Sequence, residues 1–203
     1  IQDMQKNFEI KKIKRSAFKA KKVHSHPFHE LFYLARGECT AFISHNIYKF
    51  HHGDIVIVPA GTIHSICSGL VIAELQENSN ITYRLYDYNR TDKNGNKREL
   101  HVDKALDVIQ QTASAPEPSI DDGLQEKNLV YCNYFVCDVV NSKKCYDDCT
   151  IEGCHILFFK DGSGEILYDG GKESFVAGDT FIIPKSLGKY SISGQCSYLK
   201  CYE

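Results

Sequence analysis

No stretch of the 203-residue chain holds 18 consecutive apolar residues, so the sequence predicts no transmembrane helix. The first residues also contain no apolar signal segment. Neither sign of charge is in large excess, because the chain has 24 Lys and Arg residues and 26 Asp and Glu residues. This balance argues against a nucleic-acid partner and against attachment to a membrane surface. The apolar fraction of 42% is enough for the core of one large β domain or two small ones.

The nine cysteines include no Cys-x-x-Cys pair. An odd count without a signal segment predicts free thiols in the reducing cytoplasm. Cys145, Cys149 and Cys154 lie close together in the sequence, beside His155. Without the usual spacing of a zinc cluster, we interpret these three as buried small apolar side chains.

Two short blocks carry the candidate metal ligands. The first runs from His24 to Glu30 and reads His-Ser-His-Pro-Phe-His-Glu. Because side chains alternate faces on an extended strand, His24, His26 and Glu30 share one face. The second block begins at Gly53, continues as an apolar strand and a Pro/Gly turn, and ends at His64. Three imidazoles and a carboxylate suit a divalent metal with coordination positions left open for a ligand.

Short strands separated by turns are predicted at 29–35, 39–43, 47–50, 54–59 and 70–75. Helical spacing of apolar residues predicts one helix over 102–111. The lysine-rich segment 1–22 is interpreted as a solvated edge strand rather than as a nucleic-acid-binding arm.

An internal repeat relates the two halves of the chain. A shift of 125 positions matches turn residues without a gap: Gly53 with Gly178, Asp54 with Asp179, and Pro59 with Pro184. The same shift matches Glu30 with His155 and His64 with Lys189, so the candidate ligands do not repeat. We therefore predict a metal-binding domain at 1–112 that includes the helix, a linker at 113–127, and a metal-free domain at 128–203.

The spacing within the two blocks resembles the signature motifs of the cupin superfamily. The first block matches His-x-His, three residues, Glu30, six residues and Gly37. The second matches Gly53, five residues, Pro-x-Gly, two residues and His64. This resemblance implies an all-β double cupin, with two small barrels of jelly-roll type joined by one short helix. Residues 8–64 also resemble the ligand-sensing arm of AraC-type regulators, although no DNA-binding half follows.

From Pro59 onward the chain resembles type I mannose-6-phosphate isomerases. The resemblance is carried by Gly-Leu-Val-Ile-Ala-Glu-Leu-Gln-Glu-Asn-Ser-Asn at 69–80, by Thr-Tyr-Arg-Leu-Tyr-Asp-Tyr-Asn-Arg at 82–90 and by 98–109. It implies a metal-dependent conversion of mannose 6-phosphate to fructose 6-phosphate, with zinc as the expected ion. The expected partner is a sugar phosphate, the expected location is the cytoplasm, and a homodimer is compatible with the chain.

The resemblance also implies roles for particular residues. His26 and His64 match metal ligands, whereas His24 stands where the family usually has Gln. The family's metal-binding Glu lies in a Lys-Pro-Glu segment that this chain lacks, so Glu30 would serve instead. Glu74 and Arg84 match positions beside the metal, where a carboxylate can move the proton and a guanidinium can bind an anion.

Three interpretations stay open at this point. The chain is a shortened metal-dependent phosphosugar isomerase, a non-catalytic sugar-sensing cupin, or a composite that has kept the fold and lost turnover. For Glu74 the alternative is a strand-edge salt bridge, and for Arg84 it is a surface cation. A Lys or Arg that points into the first barrel would favour the enzyme.

Overall fold

The computed structural model describes residues 8–14, 22–67, 70–79, 81–109, 125–151 and 153–203. The chain divides into two compact units, Ile1–Ile120 and Asp121–Glu203. Strands dominate the described residues, beside one short α-helix and one 3₁₀ turn, which confirms the predicted all-β class. Most of the predicted linker lies outside the described residues, and the predicted domain limits remain a prediction.

Among its described residues, the first unit contains nine short strands and the helix. Most of the strands are rich in β-branched and aromatic residues and end at turn residues, as half-buried strands usually do. Where strands were predicted, their limits agree with the structure to within two residues. The elements are β1 Phe8–Lys14, β2 Val23–Ser25, β3 Glu30–Arg36, β4 Cys39–Ile43, β5 Asn46–Phe50, β6 Ile55–Val58, β7 His64–Ile66, β8 Val71–Glu77, β9 Tyr83–Tyr86 and α1 Val102–Val108.

Two antiparallel sheets build this unit, with strand orders β1-β8-β3-β6 and β5-β4-β7-β2-β9. β1 lies at a sheet edge, as predicted for the lysine-rich segment. Alternate residues of β3 point inward, so Phe32 and Leu34 pack against apolar side chains of both sheets. The inward row of β3 begins with Glu30, which places a carboxylate at one end of an apolar core.

The second unit is one antiparallel sheet in the order β10-β11-β17-β13-β16-β12, with β14 and β15 also paired to β13. Its buried core includes Leu157, Phe159, Phe175, Ile192 and Tyr198. The elements are β10 Glu126–Tyr131, β11 Val136–Ser142, β12 Cys145–Cys149, β13 His155–Tyr168, β14 Gly171–Val176, β15 Thr180–Ile183, a 3₁₀ turn Lys185–Leu187, β16 Lys189–Ser193 and β17 Cys196–Tyr202.

Backbone hydrogen bonds confirm the internal repeat. Leu34 N donates to Asp54 O at 2.9 Å, and 125 positions later Phe159 N donates to Asp179 O at 3.0 Å. In both units the aspartate follows a glycine in the left-handed region, with φ of 96°. Equal turns at equal intervals therefore give the two halves the same strand layout.

The strand registers correct one part of the predicted match. Ile43 pairs with His64 in the first unit, and Tyr168 pairs with Tyr190 in the second. The counterpart of His64 is therefore Tyr190, at a shift of 126, and not Lys189. The turn that follows the matched prolines is one residue longer in the second unit, which ungapped matching cannot detect.

The repeat depends on Gly162, where β13 bends. This glycine has φ of +81°, and a Cβ atom there would lie 2.1 Å from the carbonyl oxygen of Gln195. Gly170 has a similar φ of +98°, but a Cβ atom there would meet nothing within 4 Å. A side chain at Gly162 would therefore meet both backbone strain and a steric clash, whereas a side chain at Gly170 would meet backbone strain alone.

We expect Gly162→Ala to lower the free energy of unfolding by about 3 kcal/mol or more, because strain and clash combine. Gly170→Ala should lower it by only about 1 kcal/mol, from strain alone. Urea unfolding measures both values. Equal losses for the two variants would contradict the close approach at Gly162.

Candidate metal centre

The structure brings the four predicted ligands together in the first unit. His24 lies in β2, His26 just after it, Glu30 opens β3 and His64 opens β7. One ligand atom from each lies within 4.8 Å of every other, and no side chain in the group is more than 4% exposed. The grouping is therefore a buried cluster and not a set of unrelated surface histidines.

Strand pairing explains why the two sequence blocks meet. His24 of β2 lies directly opposite His64 of β7, so the two side chains share one face of the sheet. Gly61 N donates to His26 O at 2.8 Å and ties the turn before β7 to the end of β2. Gly61 has φ of +74°, which explains the glycine of the second block.

Each histidine has one ring nitrogen committed to the backbone. An Nδ1–H that donates to a carbonyl leaves Nε2 as the atom with a free lone pair. All three Nδ1 atoms lie at hydrogen-bond distance from a carbonyl two residues away: His24 from Lys22 O at 3.0 Å, His26 from Phe28 O at 2.8 Å, and His64 from Thr62 O at 3.0 Å.

The Nε2 atoms point toward the Glu30 carboxylate. Glu30 Oε2 lies 2.8 Å from Nε2 of His26 and 3.0 Å from Nε2 of His64. The contact with His64 does not have hydrogen-bond geometry, so this fully buried nitrogen has no hydrogen-bond partner. The ring is nevertheless near enough to the carboxylate for electrostatic attraction.

The charge of the cluster fits a divalent metal ion. Burial lowers the pKa of His64, and the nearby Glu30 only partly offsets this effect, so the neutral form is favoured. The neutral His64 ring and the Glu30 carboxylate then face the same buried point. A cation at this point would bind all four groups. Imidazole nitrogens together with a carboxylate oxygen are common ligands of zinc and other transition metals.

Glu74 lies on the interior face of the first barrel and not at a strand edge. It is 5% exposed. On β8 it lies opposite Phe32 of β3, and the next inward-facing pair on these two strands is Gln76 with Glu30. Glu74, Gln76 and Glu30 therefore share the interior face, with Glu74 in the next layer below the ligands. Gln76 was not predicted, although its position two residues after Glu74 places it on the same face.

Arg84 faces the same way as the ligands. It lies on β9 directly opposite His24, which in turn lies opposite His64, so the three form a row across neighbouring strands. Its Nη1 donates to Glu99 O at 3.3 Å, while its buried Nε has no hydrogen-bond partner. A guanidinium with an uncommitted N–H thus lies beside the cluster.

His101 holds the backbone of Arg84 and was not predicted as a site residue. His101 N donates to Arg84 O at 2.8 Å, and Arg84 N donates to His101 Nδ1 at 3.3 Å. The segment around Arg84 is rich in Tyr and Asp, but the Arg84 side chain donates to Glu99 O and not to the aspartate of this segment. Asp87 of that segment binds Arg90 and Arg98 instead, and these hydrogen bonds, chiefly from Arg98, lower the pKa of Asp87.

The cysteine interpretation is partly wrong. Cys145 is exposed, and Cys149 and Cys154 are half-buried. Residue spacing alone did not reveal that β12 lies at the edge of its sheet. Among the described residues these thiols join no group of three or more metal-ligating side chains.

Comparison with known proteins agrees with this fold. Residues 17–68 match the cupin domain family. The chain is also similar in sequence to mannose-6-phosphate isomerases. Mannose-6-phosphate isomerase ManA of Bacillus subtilis is 33% identical over 159 residues, which cover 75% of this chain and 49% of that protein. The enzyme of Streptococcus mutans is 31% identical over 148 residues, which cover 70% of this chain and 46% of that protein.

Solved structures match over nearly the whole chain. The mannose 6-phosphate isomerase of Bacillus subtilis has a TM-score of 0.76 at 24% identity, covering 97% of this chain and 74% of that one. A mutant phosphomannose isomerase of Salmonella typhimurium has a TM-score of 0.78 at 10% identity, covering 100% and 80%. These matches support the double-cupin fold.

The chain spans about half the length of the curated relatives it matches. The relatives named above are isomerases, so the AraC-type likeness of residues 8–64 remains a prediction. Within the part of the chain that the structure describes, no helix is long and apolar enough to cross a membrane.

We expect His64→Ala to release the metal, because it removes a fully buried ligand that cannot be replaced by solvent. Metal content after dialysis, measured by mass spectrometry, should fall from about one ion per chain to near zero. His51→Ala is the matched control, because that imidazole is 64% exposed and lies outside the cluster. Stoichiometric metal in purified His64→Ala would contradict the assignment.

Proposed function

We propose that the chain is an aldose–ketose isomerase of phosphosugars that interconverts mannose 6-phosphate and fructose 6-phosphate. The observation that carries this proposal is the arrangement of Glu74 and Arg84 around the buried cluster. Both lie on strands next to the ligand strands, and both share a face with a ligand. The names of the homologous proteins support the same reaction.

We propose that His24, His26, Glu30 and His64 hold a divalent ion, and that this ion is zinc. Three imidazole nitrogens and one carboxylate oxygen within 4.8 Å of one another are donors that zinc binds, and a fifth position can accept a sugar oxygen. When bound, such an ion supplies Lewis-acid stabilisation of negative charge on the sugar oxygens. The three Nδ1–H contacts to backbone carbonyls fix the ring orientations before any ion binds.

Arg84 is proposed to bind the anionic part of the sugar phosphate. Its buried Nε has no hydrogen-bond partner, whereas Nη1 is anchored to Glu99 O. An anion that accepts from Nε would therefore satisfy a group that the protein leaves unmatched. Because Arg84 lies opposite His24, the bound anion would be adjacent to the metal-binding cluster.

Glu74 is proposed to move the proton between the two sugar carbons. Its neighbours on the side away from the ligands are apolar. Phe32 lies opposite it on β3, and Ile72 lies two positions earlier on β8. Such surroundings favour a carboxyl group that can both accept and return a proton. Glu74 lies in the layer next to Glu30, so its carboxylate is close to the metal-binding cluster.

The main alternative is a non-catalytic sugar-sensing cupin. A mouth lined only by aromatic and amide groups would favour that alternative. Arg84 instead shares the face of the ligands, which favours the enzyme. We further propose domain limits near 1–112 and 128–203, a cytoplasmic location and a homodimer.

Glu74→Gln removes the proposed proton carrier with little change in shape. With mannose 6-phosphate and the metal-loaded protein, kcat should fall about 10²-fold or more. Glu77→Gln is the control, because it lies on the same strand and its side chain points to the opposite face. Unchanged kcat in Glu74→Gln would remove Glu74 from the mechanism. A wild type without turnover that hexose phosphates stabilise against heat would favour the sensor.

His101→Ala tests how Arg84 is positioned. Loss of the Nδ1 acceptor should loosen the Arg84 backbone and raise KM for mannose 6-phosphate about five- to tenfold, with a smaller effect on kcat. His101→Asn keeps an acceptor close to the Nδ1 position and should restore most of the affinity. An Asn variant as weak as the Ala variant would show that His101 acts in another way.

A further inference from the structure

Phe28 lies next to the metal-binding cluster and contacts His26 twice. Its ring stacks on the His26 imidazole, with the ring centroids 4.1 Å apart and an angle of 7° between the two planes. Its carbonyl oxygen lies 2.8 Å from Nδ1 of His26. Both side chains are buried, with exposed fractions of 2% for Phe28 and 3% for His26. One residue therefore contacts both a face and a nitrogen of this ligand.

The position of His26 in the chain differs from that of the other two histidines. His24 and His64 lie in paired strands, directly opposite each other, and their Nδ1 atoms face carbonyls two positions earlier in the chain. His26 lies beyond the end of β2, and the carbonyl that faces its Nδ1 follows it in a bend. Strand pairing therefore does not hold the His26 ring as it holds the other two, and a further contact has more effect here.

The residue between the two rings favours the stacked arrangement. Pro27 has a fixed φ of its own and also restricts the backbone of the residue that precedes it. Fewer conformations of the segment from His26 to Phe28 then compete with the one in which the rings stack. The segment thus loses less conformational entropy when it adopts this arrangement.

The stack bears on the direction of Nε2. A hydrogen bond at Nδ1 holds one atom of the imidazole, whereas a parallel ring at 4.1 Å holds its plane. Nε2 of His26 lies 2.8 Å from Glu30 Oε2, and the His64 ring meets the His26 ring edge-on, with centroids 5.0 Å apart. A tilt of the His26 plane would therefore move Nε2 away from the point that it shares with Glu30 and His64.

We propose that Phe28 is a positioning residue of the metal centre, whose ring fixes the plane of His26 so that Nε2 is directed at the position of the ion. The proposal deepens the proposed function, because it rests on the metal centre that the isomerase would use. Phe28 acts through His26, so loss of its ring should change the affinity for metal. If Phe28 only filled the core, an apolar side chain without a ring would serve equally well.

Phe28→Leu separates these two roles, because it keeps an apolar side chain and the backbone carbonyl and removes the ring. Phe50→Leu is the matched control. Phe50 is 4% exposed in the core of the same barrel, and its ring stacks on Tyr48, with centroids 6.0 Å apart, and not on a ligand. The affinity for Zn²⁺ is measured by competition with a chromophoric chelator, and Tm is recorded for the metal-free proteins.

Phe28→Leu should weaken Zn²⁺ binding about 10- to 100-fold, as loss of an outer partner of a metal-ligating histidine does. Phe50→Leu should leave the affinity nearly unchanged, although both variants should have a lower Tm because packing is lost. Equal affinities in the two variants would overturn the proposal, and so would a wild type that binds no Zn²⁺.

The cobalt-loaded protein gives a readout that a loss of stability alone would not change. Bound Co²⁺ shifts the Nδ1–H signals of its histidine ligands away from the other proton resonances. The wild type and Phe50→Leu should show three such signals that exchange slowly with solvent. In Phe28→Leu the signal of His26, assigned in the wild type through its contact with the Phe28 ring, should exchange faster or disappear. Three unchanged signals in Phe28→Leu would count against the proposal even if its affinity were lower.

If Phe28→Leu does not fold, Phe28→Met replaces it in both measurements, because the unbranched Met side chain fills irregular space. The metal-free wild type also tests the stack directly. The ring current of Phe28 should shift the carbon-bound protons of the His26 imidazole upfield of those of His51, which is 64% exposed. Absence of that shift would show that the rings do not stack in solution and would overturn the proposal.

Failure of this proposal can be told apart from failure of the isomerase function. A wild type that binds Zn²⁺ with the expected dependence on Phe28, but does not convert mannose 6-phosphate, would contradict the isomerase alone. A wild type that converts mannose 6-phosphate, with a Phe28→Leu variant that binds Zn²⁺ as tightly as the wild type, would contradict only the role of Phe28.

Discussion

The convergence of three imidazole nitrogens and one carboxylate on a buried point is the constraint on which the first barrel depends. Their Nδ1 atoms lie at hydrogen-bond distance from backbone carbonyls, and Nε2 of His26 and Nε2 of His64 lie within 3.0 Å of the Glu30 carboxylate. A positive charge at this point would be attracted to the carboxylate. The pairing of β2 with β7 and the glycine turn before His64 bring these groups together, so the fold builds a site that suits a cation.

The two barrels differ in the charges of their polar sites. Both place polar side chains at the ends of the same strands, over a core of aromatic and branched residues. In the first, Glu74 adds a carboxylate below the ligands, which increases the demand for positive charge. In the second, the matching position is Lys200, whose ammonium balances carboxylates within the protein. The second barrel thus differs from the first at the position of Glu74 as well as at three of the ligand positions.

Much of this arrangement could be predicted from the sequence because it depends on local periodicity. Alternation on a strand puts His24, His26 and Glu30 on one face, and glycines at equal intervals reveal the repeat. The depth of Glu74 could not be predicted, because it depends on which residue of β3 it pairs with. The partners of Asp87 and the equivalence of His64 with Tyr190 depend on tertiary contacts and on one extra turn residue. Pairing across strands carries no signal in a single sequence.

X-ray absorption at the metal edge of the zinc-loaded protein tests the central claim most directly. The account predicts a first shell of nitrogen and oxygen atoms only, at about 2.0–2.2 Å, with the multiple-scattering features of three imidazoles. A sulfur shell at about 2.3 Å would show that cysteines bind the ion instead. That result, or a shell with fewer than two imidazoles, would contradict a metal centre built from His24, His26, Glu30 and His64.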